Sequence, residues 1–282
     1  MPTKFLTVVG HPVGHSKSPA LHRTAYQALG LDYSYDCVDV EQGGLVPFIE
    51  SYQPGLSGLS VTMPLKREAL AFADEIDWLS RGTEAVNTLV IRREDDGEIT
   101  HVSGFNTDVH GIAQSLRDAE VTQVNHAAIV GAGATASSAV AALSELGAEH
   151  IDVFARNVDK AQSLNSVAEF FATTIAIHPL EDLSHIDPVS VAISTLPGTE
   201  PLSLHNLPRE ARAALLDVAY DPWPSARGVE WEIAGGISVS GLRMLAHQAV
   251  IQARYFTSGD GALPLPHEED VRRAMFEAVG LD

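Results

Sequence analysis

The sequence has 282 residues, 45% of them hydrophobic and 20% charged, which is enough for one large or two ordinary globular domains. Its formal net charge of −19 argues against nucleic acid or an anionic membrane as a partner. The single cysteine excludes an internal disulfide framework and a Cys-x-x-Cys metal site, as expected of a cytoplasmic protein. No apolar run has the length of a membrane span, and the N-terminus lacks a signal-peptide core.

The chain begins with a predicted strand over Phe5–Val9, followed by a loop rich in glycine and histidine. Ser18-Pro19 then predicts a helix start, with Ser18 as the N-cap and Pro19 at the first helical position. Ser16 and Ser18 therefore present two hydroxyls beside a helix N-terminus, where a carboxylate can bind. The alternative is an ordinary helix cap.

A short strand over residues 59–62 leads into Met63-Pro64-Leu65-Lys66. Pro64 lies near the start of a helix that continues to Phe72, so Lys66 falls in the first turn of that helix. A lysine there opposes the helix dipole by about 0.3–1 kcal/mol. This setting favours a lysine that exchanges protons, and the alternative is an exposed, solubilising lysine.

Two further strands, Asn87–Ile91 and Ile99–Val102, are predicted to pair as a hairpin. Asn106-Thr107-Asp108 follows the second strand and precedes a helix from Val109 to about Asp118. Asp108 is therefore either the N-cap of this helix or a carboxylate that faces a ligand from the helix start.

A glycine turn lies at the centre of the chain, between the apolar strand His126–Val130 and an alanine-rich helix from Ala134 to Leu146. Strand, turn and helix together are typical of the first unit of a dinucleotide-binding fold. Gly131 permits the tight turn, and Gly133 lets backbone N–H groups approach a pyrophosphate at the helix N-terminus. Ala136 stands at the third glycine position, where alanine is tolerated. The turn consists of Gly131, Ala132, Gly133, Ala134, Thr135 and Ala136.

The next strand, Ile151–Phe154, ends in Ala155-Arg156-Asn157 instead of the acidic residue that holds the ribose of NAD. An arginine there suits a 2′-phosphate, through charge-assisted hydrogen bonds of about 1.5–3 kcal/mol each. The sequence therefore predicts NADP(H) as the cofactor, and the alternative is a solvated arginine in a loop.

The remaining elements continue the α/β alternation, with strands over residues 189–193 and 215–219 and helices over residues 242–256 and 267–279. Thr195 follows the first of these strands, at the carboxyl end where open α/β sheets bind ligands. The twelve histidines are scattered along the sequence, and no metal-ligand spacing is present, so no metal is predicted.

The sequence resembles the shikimate dehydrogenase family across essentially its whole length. Several separate motifs in the family's order carry this resemblance, which is far more specific than any one motif. The matching blocks are Ser16-Lys17-Ser18-Pro19, Val61-Thr62-Met63-Pro64-Leu65-Lys66, Ala85-Val86-Asn87-Thr88, Asn106-Thr107-Asp108, the glycine turn, Arg156-Asn157, residues 217–222 and residues 241–248.

The resemblance implies reversible NADPH-dependent reduction of 3-dehydroshikimate to shikimate, in aromatic amino acid biosynthesis. It implies that Lys66 and Asp108 are the catalytic pair. The implied substrate-binding residues are Ser16, Ser18, Thr62, Lys66, Asn87, Asp108, Tyr220 and Gln248. The implied cofactor-binding residues are Gly131, Ala132, Gly133, Ala134, Thr135, Ala155, Arg156, Asn157, Thr195, Val218 and Gly241.

The resemblance also implies an α/β fold of two domains with a ligand cleft between them. Residues 1–108 with about 241–282 would form the substrate-binding and catalytic domain, and residues 109–240 a Rossmann-like NADP-binding domain. The protein would need no metal and would be a monomer or a homodimer.

Four positions depart from the family pattern, namely Arg23, Ser60, Ala134 and Ala155. None of them removes a catalytic group, but Ala155 removes one possible phosphate donor, which predicts less strict cofactor preference. Two alternatives remain: a quinate/shikimate dehydrogenase with relaxed cofactor use, and a non-catalytic NADP-binding regulator on the same fold.

Overall fold

The computed structural model describes residues 3–52, 55–94, 96–198 and 202–282. The chain divides into two compact units. Unit 1 comprises Met1–Thr107 and Leu245–Asp282, and unit 2 comprises Asp108–Met244. Each unit contains a six-stranded sheet, which confirms the predicted α/β fold class.

The strands, in chain order, are β1 (Lys4–Gly10), β2 (Tyr33–Asp39), β3 (Gly58–Val61), β4 (Glu75–Ile76), β5 (Thr88–Arg93), β6 (Ile99–Phe105), β7 (His126–Val130), β8 (His150–Ala155), β9 (Thr174–Pro179), β10 (Val189–Ser194), β11 (Arg209–Asp217) and β12 (Ile237–Ser240). The helices are α1 (Ser18–Ala28), α2 (Leu45–Ser51), α3 (Lys66–Phe72), α4 (Trp78–Thr83), α5 (Asp108–Asp118), α6 (Ala134–Glu145), α7 (Val158–Ala161), α8 (Leu164–Phe170), α9 (Ala226–Ile233), α10 (Gly241–Ser258) and α11 (Glu268–Glu277). None of the helices in the described ranges is long and apolar enough to cross a membrane.

The sheet of unit 1 has the strand order β2-β1-β3-β5-β6-β4. β1 runs parallel to β2 and β3, whereas β5 is antiparallel to both β3 and β6. Along β1, Leu6 and Val8 belong to one hydrophobic cluster and Val9 belongs to another. Because side chains alternate across a strand, the sheet of unit 1 is covered by apolar residues on both faces.

The sheet of unit 2 is parallel throughout, in the order β12-β11-β10-β7-β8-β9. Numbered along unit 2, this is the order 3-2-1-4-5-6 of doubly wound dinucleotide-binding folds. The strand order reverses between β7 and β10, and ligands of such sheets bind beyond the carboxyl ends of the strands at that point. The strand order therefore predicts that the loops after β7 and β10 bind the ligand of unit 2.

Two local predictions were wrong. Ser18 is the first residue of α1 and not its N-cap, because Lys17 occupies the cap position without a side-chain hydrogen bond. Ser16 Oγ instead accepts the Ser18 backbone N–H at 3.3 Å. In addition, β11 begins at Arg209, six residues before the predicted strand, because its first half carries polar, mostly exposed residues that produce no apolar signal.

Candidate active site

In unit 1, Lys66 is the first residue of α3 and is 8% exposed. The backbone holds it from both sides, since the Val86 N–H donates to the Lys66 carbonyl at 3.2 Å and the Leu65 N–H donates to the Thr62 carbonyl at 2.9 Å. A buried ammonium at the start of a helix is costly, so this placement favours a role in ligand chemistry over a solubilising one.

Thr62 lies directly after β3, beside the loop that follows β1. The Thr62 N–H donates to the Val9 carbonyl at 2.9 Å, and the His11 N–H donates to the Met63 carbonyl at 2.9 Å. The approach is so close that a Cβ on Gly10 would lie 2.3 Å from Thr62 Cγ2. Gly10 therefore lets the loop that leads to Ser16 lie against the segment that leads to Lys66.

Asn87, Thr107 and Gln248 form one buried hydrogen-bond network. Asn87 Nδ2 donates to Thr107 Oγ1 at 2.9 Å and to Gln248 Oε1 at 3.3 Å, and the Thr107 N–H donates to Asn87 Oδ1 at 2.9 Å. Thr107 Oγ1 also lies 3.1 Å from Gln248 Oε1. Asn87 and Gln248 are 161 residues apart in the sequence, and both were predicted to contact substrate. The fold brings these two side chains into direct contact.

A second buried network, which the sequence did not reveal, supports the first. Gln252 Nε2 donates to the Asn87 carbonyl at 3.1 Å and to Thr88 Oγ1 at 2.9 Å. Gln252 Oε1 accepts from Ser60 Oγ at 2.7 Å and lies 3.2 Å from His22 Nε2. The nitrogen and the oxygen of the Gln252 amide thus both have hydrogen-bond partners, as a buried amide requires. Through its bond to the Asn87 carbonyl, Gln252 holds the backbone of Asn87 in place.

His22 is fully buried and stacks on Tyr35, with ring centroids 4.2 Å apart. Burial lowers the pKa of His22 to about 3, although its hydrogen bond to Gln252 opposes this shift. His22 is therefore neutral near pH 7. Its surroundings imply that Nε2–H donates to Gln252 and that Nδ1 accepts from Tyr26 OH at 3.1 Å.

Asp108 and Tyr220 both belong to unit 2. Asp108 is the first residue of α5 and is 5% exposed. Tyr220 is half-buried and follows β11 by three residues, at the carboxyl end of the strand.

The glycine turn follows β7, at the point where the strand order of unit 2 reverses. Gly131 has φ +116°, and a Cβ there would lie 2.2 Å from Thr195 Oγ1, so only glycine fits. Thr195, which follows β10, donates its N–H to the Val130 carbonyl at 2.8 Å. Gly133 is the N-cap of α6 and is exposed. A Cβ added to Gly133 would have no atom of the described residues within 4 Å. The turn is thus tight at Gly131 and open at Gly133, as a backbone cradle for a phosphate requires.

Val218 and Gly241 lie against each other in unit 2. A Cβ on Gly241 would lie 2.0 Å from the Val218 carbonyl oxygen, so glycine is required where α10 begins. The Val218 N–H donates to the Ser194 carbonyl at 3.0 Å, which ties the loop after β11 to the end of β10.

A buried ion pair, which no sequence pattern indicated, organises these loops. Arg227 is 3% exposed and donates through Nε to Asp217 Oδ2 at 3.0 Å and through Nη2 to Asp217 Oδ1 at 3.2 Å. Its Nη2 also donates to the Pro197 carbonyl at 3.2 Å. Ser225 Oγ adds a hydrogen bond to Asp217 Oδ2 at 2.7 Å. One guanidinium thereby fixes the loops after β10 and β11.

Ala155, Arg156 and Asn157 follow one another at the end of β8. Ala155 is buried, whereas Arg156 and Asn157 are exposed. Asn157 is the N-cap of α7, since its Oδ1 accepts the Lys160 N–H at 2.8 Å. The backbone of β8 also reaches the glycine turn, because the Gly131 N–H donates to the Phe154 carbonyl at 2.8 Å.

The fold also brings together polar side chains that are scattered in the sequence. His126, His150 and Asp152 each offer a ligand atom, and these atoms all lie within 4.8 Å of one another. They lie in β7 and β8, toward the ends of these strands that are remote from the glycine turn.

Two family models match the chain. Residues 8–89 match the shikimate dehydrogenase substrate binding domain, and residues 112–219 match shikimate / quinate 5-dehydrogenase. A shikimate dehydrogenase (NADP(+)) of Methanothermobacter thermautotrophicus is 31% identical over 285 residues, which cover 97% of both chains.

Solved structures show the same likeness. The shikimate dehydrogenase of Mycobacterium tuberculosis is 35% identical with a TM-score of 0.78, and 98% of each chain is covered. The enzyme of Thermus thermophilus, solved in complex with NADP(H) and shikimate, is 29% identical with a TM-score of 0.77 over 98% of this chain and 99% of that one. The chain also matches the pentafunctional AROM polypeptide of Eremothecium gossypii at 34% identity over 90% of its own length, but spans only 17% of that polypeptide.

Proposed function

Because the chain belongs to the shikimate dehydrogenase family, we propose that it catalyses the reversible, NADPH-dependent reduction of 3-dehydroshikimate to shikimate. This is an oxidoreductase step on the route to chorismate and the aromatic amino acids. The observation that carries the proposal is the glycine turn at the strand-order reversal of unit 2, followed by Arg156 where an NAD site would have an acidic residue.

Unit 2 is proposed as the cofactor domain. The backbone from Gly131 to Thr135 would hold the pyrophosphate at the N-terminus of α6, and Arg156 would hold the 2′-phosphate. Support comes from the open space over Gly133 and from the exposure of Arg156 at the end of β8. Ala155, Asn157, Thr195, Val218 and Gly241 would complete the cofactor site.

Unit 1 is proposed as the substrate domain. Shikimate carries a carboxylate and three hydroxyls, and Asn87 and Gln248 supply amide groups of both polarities for hydroxyl groups. Ser16 and Ser18 would hold the carboxylate with neutral donors, and Thr62 would contribute a further hydroxyl. Support comes from the buried network of Asn87, Thr107 and Gln248, whose members hold one another in place before a ligand arrives. The family resemblance adds Tyr220 as a further proposed substrate-binding residue.

The chemistry of the reaction separates into a hydride and a proton. When bound, NADPH supplies the hydride to the ring carbon of the carbonyl. Lys66 donates a proton to the carbonyl oxygen in the forward direction and removes it in reverse, and Asp108 orients the substrate hydroxyl. General acid–base assistance of this kind is worth about 10²–10⁴-fold in rate.

Steady-state turnover of shikimate and of quinate with NADP and with NAD tests the proposal directly. We expect shikimate with NADP to give the largest kcat/KM of the four combinations. Comparable quinate turnover with NAD would favour a quinate/shikimate dehydrogenase with relaxed cofactor use. Binding of NADP without oxidation of either compound would favour a non-catalytic regulator on the same fold.

A further inference from the structure

Four polar side chains meet on one face of the unit 2 sheet: His126, His150, Asp152 and His178, together called the His–Asp cluster. His126 pairs with His150 in the β7–β8 register, and Asp152 follows His150 by two residues. Asp152 pairs with Ala176, two residues before His178. Because side chains alternate along strands, all four project from the same face.

Asp152 is the centre of the His–Asp cluster. It is only 3% exposed, and its Oδ2 lies 2.6 Å from His126 Nε2. Its Oδ1 lies 2.6 Å from His178 Nε2 and 3.5 Å from His150 Nε2. The side chains of His126, His178 and His150 are 19%, 27% and 44% exposed, so the carboxylate is buried and the cluster opens to solvent on the His150 side.

We propose that His126, His150 and Asp152 bind a Zn²⁺ ion. Two imidazoles and one carboxylate are a donor set that prefers zinc and its neighbours to Mg²⁺ or Ca²⁺. Three protein ligands leave a fourth position for water, and the exposed side of His150 provides access for it. The net charge of −19 favours the approach of a divalent cation.

The distances are compatible with such an ion after a small adjustment. Zinc bonds of about 2.0–2.1 Å in a tetrahedron separate ligand atoms by about 3.3 Å. The three candidate ligand atoms lie within 4.8 Å of one another, so the larger separations must shorten by at most about 1.5 Å. The His126 Nε2–Asp152 Oδ2 separation of 2.6 Å is that of a hydrogen bond and must lengthen. Binding therefore replaces this hydrogen bond by two coordinate bonds, and the His126 ring then carries its proton on Nδ1, so that Nε2 is free to bind the ion.

His178 does not bind the ion but donates a hydrogen bond to the Asp152 carboxylate. Its Nε2 can keep its contact with Asp152 Oδ1 while the carboxylate binds the ion. Its ring also stacks on Phe154, with centroids 5.1 Å apart, which fixes its orientation. Outer partners of this kind are typically worth 10–100-fold in metal affinity.

The ion would act on stability and not on turnover. His126 precedes Gly131 by five residues of extended chain, or about 16 Å, so the ion would lie well away from the glycine turn. It would join the neighbouring strands β7 and β8 near their amino ends. An ion that binds only the folded chain raises the melting temperature according to its concentration and affinity.

The test uses the full chain after treatment with a chelator. Titration calorimetry with Zn²⁺ should give one ion per chain for the wild type, and at least about 100-fold weaker binding for His150→Ala. His150 makes the longest contact with Asp152 and is half exposed, so this variant should remain folded. His101→Ala is the matched control, because it also removes a histidine that lies near carboxylates. The two ring nitrogens of His101 face different carboxylates, Asp74 at 3.8 Å and Glu75 at 3.6 Å, and His101 lies outside the His–Asp cluster.

Three further results are expected. A hundredfold excess of Zn²⁺ over its Kd should raise the melting temperature by about 5–10 °C in the wild type and in His101→Ala, but not in His150→Ala. His178→Ala should bind about 10–100-fold more weakly than the wild type. Co²⁺ in place of Zn²⁺ should give the visible absorption of a tetrahedral site. Zinc binding by His150→Ala equal to that of the wild type, or no wild-type binding at all, would overturn the proposal.

Discussion

The two units build their candidate sites in opposite ways. In unit 1 the groups proposed to contact substrate are side chains, and Asn87 is held by Thr107, Gln248 and Gln252. In unit 2 the groups proposed to contact the pyrophosphate are backbone N–H groups. Thr195, which packs against Gly131, helps to set the conformation of this backbone. Changes in unit 1 should therefore act through chemistry and hydrogen bonding, whereas most changes in unit 2 should act through loop geometry.

The largest effect is expected in unit 1, at Lys66. Lys66→Met removes the proposed proton donor, so kcat should fall by about 10²–10⁴-fold with little change in the substrate KM. Steady-state kinetics of shikimate oxidation measure both constants. Lys160→Met, which changes an exposed lysine of α7, is the control and should retain normal kcat. A Lys66→Met enzyme with near-normal kcat would remove this residue from proton transfer.

A loss of about 3–5 kcal/mol in unfolding free energy is expected for Arg227→Met in unit 2. The substitution leaves the fully buried Asp217 carboxylate without its cation and frees two loops. Urea unfolding measures the change. Arg117→Met breaks an exposed pair with Glu145 and should cost less than about 1 kcal/mol. Equal losses in both variants would show that the buried pair does not organise unit 2.

Cofactor choice should depend on Arg156. Removing one or two charge-assisted hydrogen bonds of about 1.5–3 kcal/mol should raise the KM for NADP by at least about 10-fold in Arg156→Gln. The KM for NAD, which lacks the 2′-phosphate, should stay the same. Kinetics with both coenzymes make NAD the internal control, and parallel increases for the two would argue against a phosphate contact.

The smallest effect, measured per pH unit, concerns the pH dependence of the stability of unit 1. The unfolded chain protonates His22 below about pH 6.5, whereas burial holds its folded pKa at about 3. Stability contributed by neutral His22 is therefore complete above pH 6.5 and is lost as the pH falls toward 3, by up to about 1.4 kcal/mol per unit. Urea unfolding from pH 7 to pH 4 should show a shallower acid loss for His22→Phe. An unchanged slope would show that other groups control acid unfolding.

The sequence predicted the elements around the glycine turn of unit 2 accurately, but β9, α9 and β12 of the same unit were not predicted. The strand His126–Val130 was predicted with its observed bounds, and the helix after the glycine turn within one residue, because apolar runs and glycines are local signals. The Gln252 network was not predicted, because Ser60 and Gln252 are 192 residues apart and neither belongs to a local pattern. Arg227 was missed for a different reason: it lies only 10 residues from Asp217, but the burial of the pair becomes evident only in the folded chain.

The family and the fold class were confirmed, whereas the roles of the individual site residues remain predictions. Ser18 illustrates the limit of local rules. The Ser18-Pro19 pair predicted that Ser18 would cap the helix. In the structure the oxygen that accepts the Ser18 N–H comes from Ser16, and which serine can do so depends on the path of the loop.

The openness at Gly133 and the exposure of Arg156 have a consequence for coenzyme preference. In the proposed site, a cradle of main-chain amides would suit either nicotinamide dinucleotide, so coenzyme preference would depend on the exposed side chain of Arg156, directly after β8. Substitution there carries little folding penalty. If Arg156 holds the 2′-phosphate, a substitution at this one position would change coenzyme preference and leave the fold intact.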